Sequence, residues 1–346
     1  MKITYLIPII FFFSCANVAP LSGGDVDKAP PQLISTFPEN NNTLFNEDKI
    51  IMVFDETIQI NQTEKLFFAP SINKNVELNT KGNELLISFK EDLDENTTYT
   101  IILNDIVKDV TEGNVLPYLE YAFSTGPEID TLYIQGKVFD ALSKSPIEKI
   151  CVGLYSDDTS YDSILYKQEP EYLAISNNDG NFKFSNLPDK PFVIYALEDI
   201  DNNNIFSLPH EKVGFVSNTI KPNANDLTVF LFDETAINDS VKKTPSIQGD
   251  SFGRLIIDSL PNTPLIVELI YKESIVFRTT DSESLVIDSL SPGTYSLRII
   301  LDDNNNAEWD SGNLLQKQQA ETVEYYAKEI TIRSDWDVIV EWNTNE

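Results

Sequence analysis

The chain has 346 residues, with 55 Asp and Glu against 25 Lys and Arg, a formal net charge of −30 at pH 7. A surface of that sign repels phosphate backbones, and no run of basic residues interleaved with aromatics offsets it, so nucleic acid is excluded as a partner. Hydrophobic residues make up 41% and aromatics 11%, which is ample for folded cores, so the acidity belongs to a solvated exterior that also attracts divalent cations.

Lys2 supplies a short positive region and Ile3 to Phe13 an apolar run. The run is too short to cross a bilayer, which takes about 20 apolar residues, and Ser14 is the small residue expected just before a signal-peptidase cut. Phe12-Phe13-Ser14-Cys15 resembles the lipobox of bacterial lipoproteins, with Phe12 and Phe13 standing where Leu-Ala or Leu-Ser is usual. The resemblance implies that residues 1–14 are a lipoprotein signal peptide and that Cys15 is acylated as the first mature residue. It further implies a membrane attachment through that lipid, in the cell envelope and at the outer membrane of a Gram-negative bacterium. An ordinary secretory signal cut near Ala19 is the alternative. Residues 15–29, with Ser22-Gly23-Gly24, read as a flexible tether.

From Pro30 the chain alternates short strand-like runs with turn clusters and shows no long helical period, the pattern of an all-β protein built from tandem Greek-key β-sandwiches. Residues 30–126 form the first unit, with strands predicted at Gln32–Phe37, Lys49–Phe54, Lys65–Ala69, Asn75–Leu78, Glu84–Lys90, Thr98–Leu103 and Glu120–Ser124. Leu93 to Thr100 reads as a tyrosine corner, with Tyr99 bonding back to the preceding turn. Pro30 to Asn40, Ile51 to Glu56, Thr98-Tyr99-Thr100, Val107-Lys108-Asp109 with Gly113-Asn114, and Tyr121 to Gly126 together resemble the SbsA-type bacterial Ig-like domain. That family consists of extracellular spacer and interaction modules, and the resemblance implies no catalytic residue.

Residues 130–235 form the second unit. Ile134 to Asp140, Pro146, Val152 to Tyr155, Asn178 to Phe184 and Leu187-Pro188 resemble the carboxypeptidase regulatory-like, or transthyretin-like, sandwich, with Lys190-Pro191-Phe192 where the family has Gly-x-Tyr. The resemblance implies a non-catalytic module. Asp179-Gly180 is a tight-turn signal. Residues 236–246 read as a linker, and residues 247–346 as a second transthyretin-like sandwich. A shift of 103 residues lays Leu187 to Ile194 on Leu290 to Leu297, Asp199 on Asp302, Asp201 on Asn304, Asn203 on Asn306 and Phe206 on Trp309.

The repeated acidic loop is the sharpest chemical signal. Asp199, Asp201 and Asn203, and again Asp302, Asn304 and Asn306, place side-chain oxygens at the spacing hard cations use, with Ser207 and Asp310 at the ninth position. Asn204 and Ala307 replace the sixth-position Gly, and His210 and Asn313 replace the twelfth-position Glu, so the expectation is at most a weak Ca²⁺ site set against an Asx-turn that binds nothing. No other cofactor is indicated. Cys151 lies in a strand-like segment and reads as a core residue, and with Cys15 lipidated it has no disulfide partner. His210, the one histidine, falls in a loop, and no phosphate loop, zinc pair or catalytic triad occurs. Trp309, Trp336 and Trp342 read as sandwich core, Trp336 and Trp342 within a half-buried terminal strand, with an exposed aromatic platform for sugar as the alternative for all three. Five Asp-[Ser/Thr]-apolar segments, at Asp130, Asp162, Asp239, Asp258 and Asp288, resemble the acceptor pattern of bacterial O-glycosylation, with strand-to-turn chemistry as the alternative. The sequence thus describes a non-enzymatic, lipid-anchored envelope protein for display, adhesion or scaffolding. Its partner is an envelope protein or a glycan that the sequence does not identify. The alternative function is a carbohydrate-binding accessory lipoprotein of a glycan-uptake system.

Overall fold

The structure is a computed structural model and describes residues 26–61, 66–72, 76–156, 161–235, 251–281 and 284–342. The signal segment, Cys15 and the linker at 236–246 lie outside the described residues. No α-helix occurs among those described, and no helix is long and apolar enough to cross a membrane.

In the first unit, two-residue alternation sets the core. β2 (Lys49–Phe54) turns Ile50, Met52 and Phe54 inward, and β6 (Glu84–Phe89) does the same with Leu85 and Ile87. With β1 (Leu33–Phe37) and β5 (Val76–Lys81) they form a sheet of order β1-β2-β6-β5. It faces a second sheet of β4 (Leu66–Ala69), β7 (Thr98–Asn104) and β9 (Tyr118–Ser124), ordered β4-β7-β9. Two strands that the sequence pattern did not reveal, β3 (Ile58–Ile60) and β8 (Val107–Asp109), pair with each other. At three residues each, they are too short to show a period. The corner at Tyr99 is present: the buried phenol oxygen accepts the Asp94 N–H at 3.0 Å. Buried Asp109 closes the β8 turn by accepting the N–H groups of Glu112, Gly113 and Asn114 at 2.6, 2.8 and 2.7 Å. Burial pushes its carboxyl up, but these donors outweigh burial and hold it below its ordinary value.

The second unit comprises β10 (Leu132–Asp140), β11 (Cys151–Ser156), β12 (Tyr172–Ile175), β13 (Asn181–Leu187), β14 (Phe192–Leu197), β15 (Val213–Phe215) and β16 (Ala224–Leu231). Its sheets run β13-β10-β16 and β12-β11-β14-β15, and β10 pairs with β16 in parallel. The third unit comprises β17 (Gly253–Asp258), β18 (Leu265–Tyr271), β19 (Ser274–Thr279), β20 (Leu285–Leu290), β21 (Gly293–Leu301), β22 (Val323–Tyr325), β23 (Ile330–Ile332) and β24 (Asp337–Glu341). Its sheets run β20-β17-β24 and β19-β18-β21-β22, again with first and last strands parallel. The strand orders coincide, as the 103-residue repeat in the sequence requires.

The three sandwiches are not separate beads. One apolar cluster runs from Phe67, Ala69 and Ile102 of the first, through the core of the second, to Ile266, Ile300, Trp309, Leu314 and Val323 of the third. Polar bonds reinforce both junctions. Asn186 Nδ2 donates to Thr100 Oγ1 at 3.1 Å, Leu314 N–H to Glu234 Oε1 at 2.6 Å and Gln319 Nε2 to the Phe215 carbonyl at 2.8 Å. At Gly312 the contact is so close that a Cβ would lie 2.5 Å from the Phe232 ring.

The tryptophans divide differently from the sequence expectation. Trp309 and Trp342 are buried, whereas Trp336 is 63% exposed. Trp336 precedes β24 in a turn, so the alternation that continues through it carries no facing information.

Candidate functional site

Each acidic loop leaves a central strand of its sheet, β14 or β21, and closes on itself. Asp199 accepts the N–H groups of Asn203 and Asn204 at 3.1 and 2.9 Å. Asp201 Oδ2 accepts from Asn203 Nδ2 at 2.9 Å and from Ser207 Oγ at 3.1 Å. In the third unit, buried Asp302 accepts the N–H groups of Asn306 and Ala307 at 3.0 and 2.8 Å. Asn304 Nδ2 and Asn306 Nδ2 both donate to Asp310 Oδ2, at 2.6 and 2.8 Å. All seven residues singled out by spacing are therefore brought together in two loops of one design.

The sixth position departs from a glycine loop in residue but not in backbone. Asn204 and Ala307 adopt φ of 57° and 65°, the left-handed region that Gly occupies at least cost. The carboxylate that completes each loop is not at the twelfth position. Glu211, fully buried, accepts Ile200 N–H at 3.2 Å and the N–H groups of Ser207 and Leu208 at 2.9 Å each. Its counterpart is buried Glu321, which accepts Asp303 N–H at 2.9 Å and Asp310 N–H at 3.0 Å. His210 is exposed in a turn beside Glu211 and takes no part.

In the second-unit loop, Asp199, Asp201 and Glu211 present carboxylate oxygens within 4.8 Å of one another, the spacing of a cation's ligand shell, and Glu56, Asp109 and Glu112 of the first unit do likewise. Burial raises the Asp199 carboxyl, against the pull of the Asn204 and Asn203 N–H groups. Burial likewise raises Glu321, with Asp310 and Asp302 adding to it.

Cys151 is buried in β11, as its strand context predicts, with Sγ 3.6 Å from Asn204 Oδ1. Burial pushes its thiol up, the reverse of what an attacking thiolate needs. Of the Asp-[Ser/Thr]-apolar segments, Thr131, Ser259 and Ser289 expose the hydroxyl-bearing residue; the segment at 239–241 lies outside the described residues.

A cleft of about 1500 Å³ lies where the first and second sandwiches meet, a feature absent from the sequence reading. The outer face of β13-β10-β16 contributes Gln135, Lys137, Lys183 and Thr228, the first unit contributes Asn104, Asp105 and Tyr118, and the second-unit acidic loop contributes Asp199, Asn202 and Asn204. No residue pattern could have announced it, because its walls draw on residues as far apart as Phe67 and Thr228 and are joined only by packing.

Residues 27–125 match the family model of the bacterial Ig-like domain. The match covers the first sandwich. No curated protein sequence matches the chain. Among solved structures, the minor pilin GBS52 of Streptococcus agalactiae aligns with 60% of this chain and 94% of its own at 16% identity and a TM-score of 0.18. The major pilin subunit BcpA of Bacillus cereus aligns over 59% and 70% at 12% identity and a TM-score of 0.20. Fervidolysin of Fervidobacterium pennivorans, a keratinolytic enzyme, aligns at 15% identity and a TM-score of 0.21 over 51% of this chain but 26% of its own. Superpositions of this quality transfer no activity, and the assignment as tandem β-sandwiches rests on the strand orders and on the Ig-like match.

Proposed function

We propose that the protein is a non-enzymatic envelope component, anchored by lipid on Cys15, whose three sandwiches form a spacer for display, adhesion or scaffolding. The observation that carries this reading is the apolar cluster running unbroken through both junctions. A chain of catalytic modules needs only flexible linkers, whereas a spacer must resist bending, and buried apolar contact supplies that resistance. Small-angle scattering of the Cys15→Ser protein tests it. A profile fitted by one arrangement of the sandwiches is expected, and a profile that demands independently tumbling domains overturns the spacer.

A second reading concerns the loops. The shared closure of Asp199, Asp201, Asn203 and Glu211, and of Asp302, Asn304, Asn306, Asp310 and Glu321, favours weak Ca²⁺ binding that stiffens loops lying at the cleft and at the second junction. A metal bound only to the native state raises stability by RT ln(1 + [L]/Kd).

A further inference from the structure

We propose that the cleft between the first and second sandwiches binds a neutral oligosaccharide chain, a role beyond that of a spacer. At about 1500 Å³ the cleft exceeds the roughly 300–1,000 Å³ that suits a single small molecule, so its size fits an extended ligand.

Four carboxylates and three lysines line it, which leaves little net charge to select a polyanion or a polycation. Seven Asn and Gln side chains stand among these charges. Asn104, Gln135 and Asn178 make no side-chain hydrogen bond to another described residue, so each amide offers both donors and an acceptor to a ligand. A sugar hydroxyl, itself donor and acceptor, is the matching group. Tyr118 is 52% exposed on the first-unit wall, and its hydroxyl donates to Glu120 Oε2 at 2.8 Å, which holds the ring in place as a platform for the C–H face of a pyranose. A peptide adding as a strand finds two of the sheet edges at the cleft, β12 and β13, covered by the first unit, β4 on β12 and β7 on β13, and a third, β9, bridged by Asn42, which leaves β16 as the open edge.

Isothermal titration of the Cys15→Ser protein with maltohexaose, cellohexaose, xylohexaose and laminarihexaose tests the proposal, with hexagalacturonate and a strand-forming decapeptide as competitors. At least one neutral chain should saturate the protein, with affinity rising from trisaccharide to hexasaccharide and little dependence on salt. Tyr118→Ala should weaken it about fivefold, the size of one aromatic contact, and Gln135→Ala should weaken it too, with melting temperatures unchanged. The proposal is overturned if no neutral chain binds at about 5 mM, where even a Kd of about 1 mM registers. It is equally overturned if hexagalacturonate or the peptide binds better, or if Tyr118→Ala binds as the parent does. The spacer reading is decided separately, by scattering.

Discussion

Replacing Glu268 by Gln should destabilise the third sandwich far more than a surface charge would. Glu268 on β18 lies in register with Arg278 on β19 and Arg298 on β21, and Arg298 in turn with Tyr325 on β22. The row crosses the whole sheet. Arg298 Nε and Nη2 both sit 2.6 Å from Glu268 Oε2, Arg278 Nε is 3.5 Å from Oε1, and Arg298 Nη1 donates to Tyr325 Oη at 3.0 Å. Glu268 is 2% and Arg298 8% exposed, so losing the carboxylate strands a guanidinium that water barely reaches. Opposite charges about 4 Å apart attract by about 4 kcal/mol at an effective dielectric of about 20. Breaking a buried pair by removing one partner costs about 3–5 kcal/mol. A loss of about 3–4 kcal/mol is therefore expected, or more than about 10 °C in Tm for a unit of this size. Urea unfolding followed by tryptophan fluorescence reads it cleanly, because all three tryptophans, Trp309, Trp336 and Trp342, lie in the third unit. Replacing the pair together by Glu268→Leu and Arg298→Leu should recover part of the loss, since the most buried guanidinium goes with its partner and only the less buried Arg278 loses its 3.5 Å contact. A single-variant cost below about 1 kcal/mol at an unchanged m-value, or a double variant no better than the single, would show that Glu268 and Arg298 do not act as a buried pair.

Tyr99→Phe removes the acceptor for Asp94 N–H and should cost about 1 kcal/mol in the first sandwich with no change in fold, as measured by chemical denaturation. Ca²⁺ at about 5 mM should raise the melting temperature above that in chelator at equal ionic strength, given the millimolar affinity of extracellular loop sites; Asp302→Ala should remove part of the rise, and equal temperatures would leave the Asx-turn reading standing. The raised carboxyls of Asp199 and Glu321 favour the protonated folded state, so their stabilising contribution is full below the unfolded carboxylate pKa of about 4 and is lost as pH rises through their folded values. Asp140 works in the opposite sense: burial pushes it up, but Lys212 and the Ser143 N–H outweigh burial and lower it, so its contribution is present at neutral pH and lost in strong acid. Thermal stability should thus peak in mild acid, and Asp199→Asn with Glu321→Gln should flatten the neutral side of the curve; a profile that keeps rising to pH 8 contradicts this.

Much of the fold could be read from local pattern, and the rest could not for identifiable reasons. Ile50–Phe54 is an unbroken apolar run between Asp48-Lys49 and Asp55-Glu56, so its bounds came directly from the residues, and the Asp179-Gly180 turn forms between β12 and β13 with Gly180 at φ 75°. The seven loop residues were visible because fixed spacing places their oxygens without help from the rest of the fold. Glu211 and Glu321 were not. Glu211 falls one residue past the expected position, and Glu321 returns only after a hairpin in which Asn313 pairs with Gln318, an insertion that breaks the 103-residue shift. The Arg278–Glu268–Arg298–Tyr325 row depends on register between four strands, and the cleft on packing between sandwiches. Neither leaves a trace in linear order.

Attachment through Cys15 is tested by the mass of the native N-terminal peptide together with membrane fractionation. The expected result is a mature chain that begins at Cys15, carries more than one acyl chain and stays with membranes through a high-salt wash, because a single chain binds only marginally at about 0.8 kcal/mol per buried CH₂. Cys15→Ser should release the protein or block its processing. An unmodified mature chain beginning at Val18 or later, recovered in the soluble fraction, would rule out lipid attachment at Cys15.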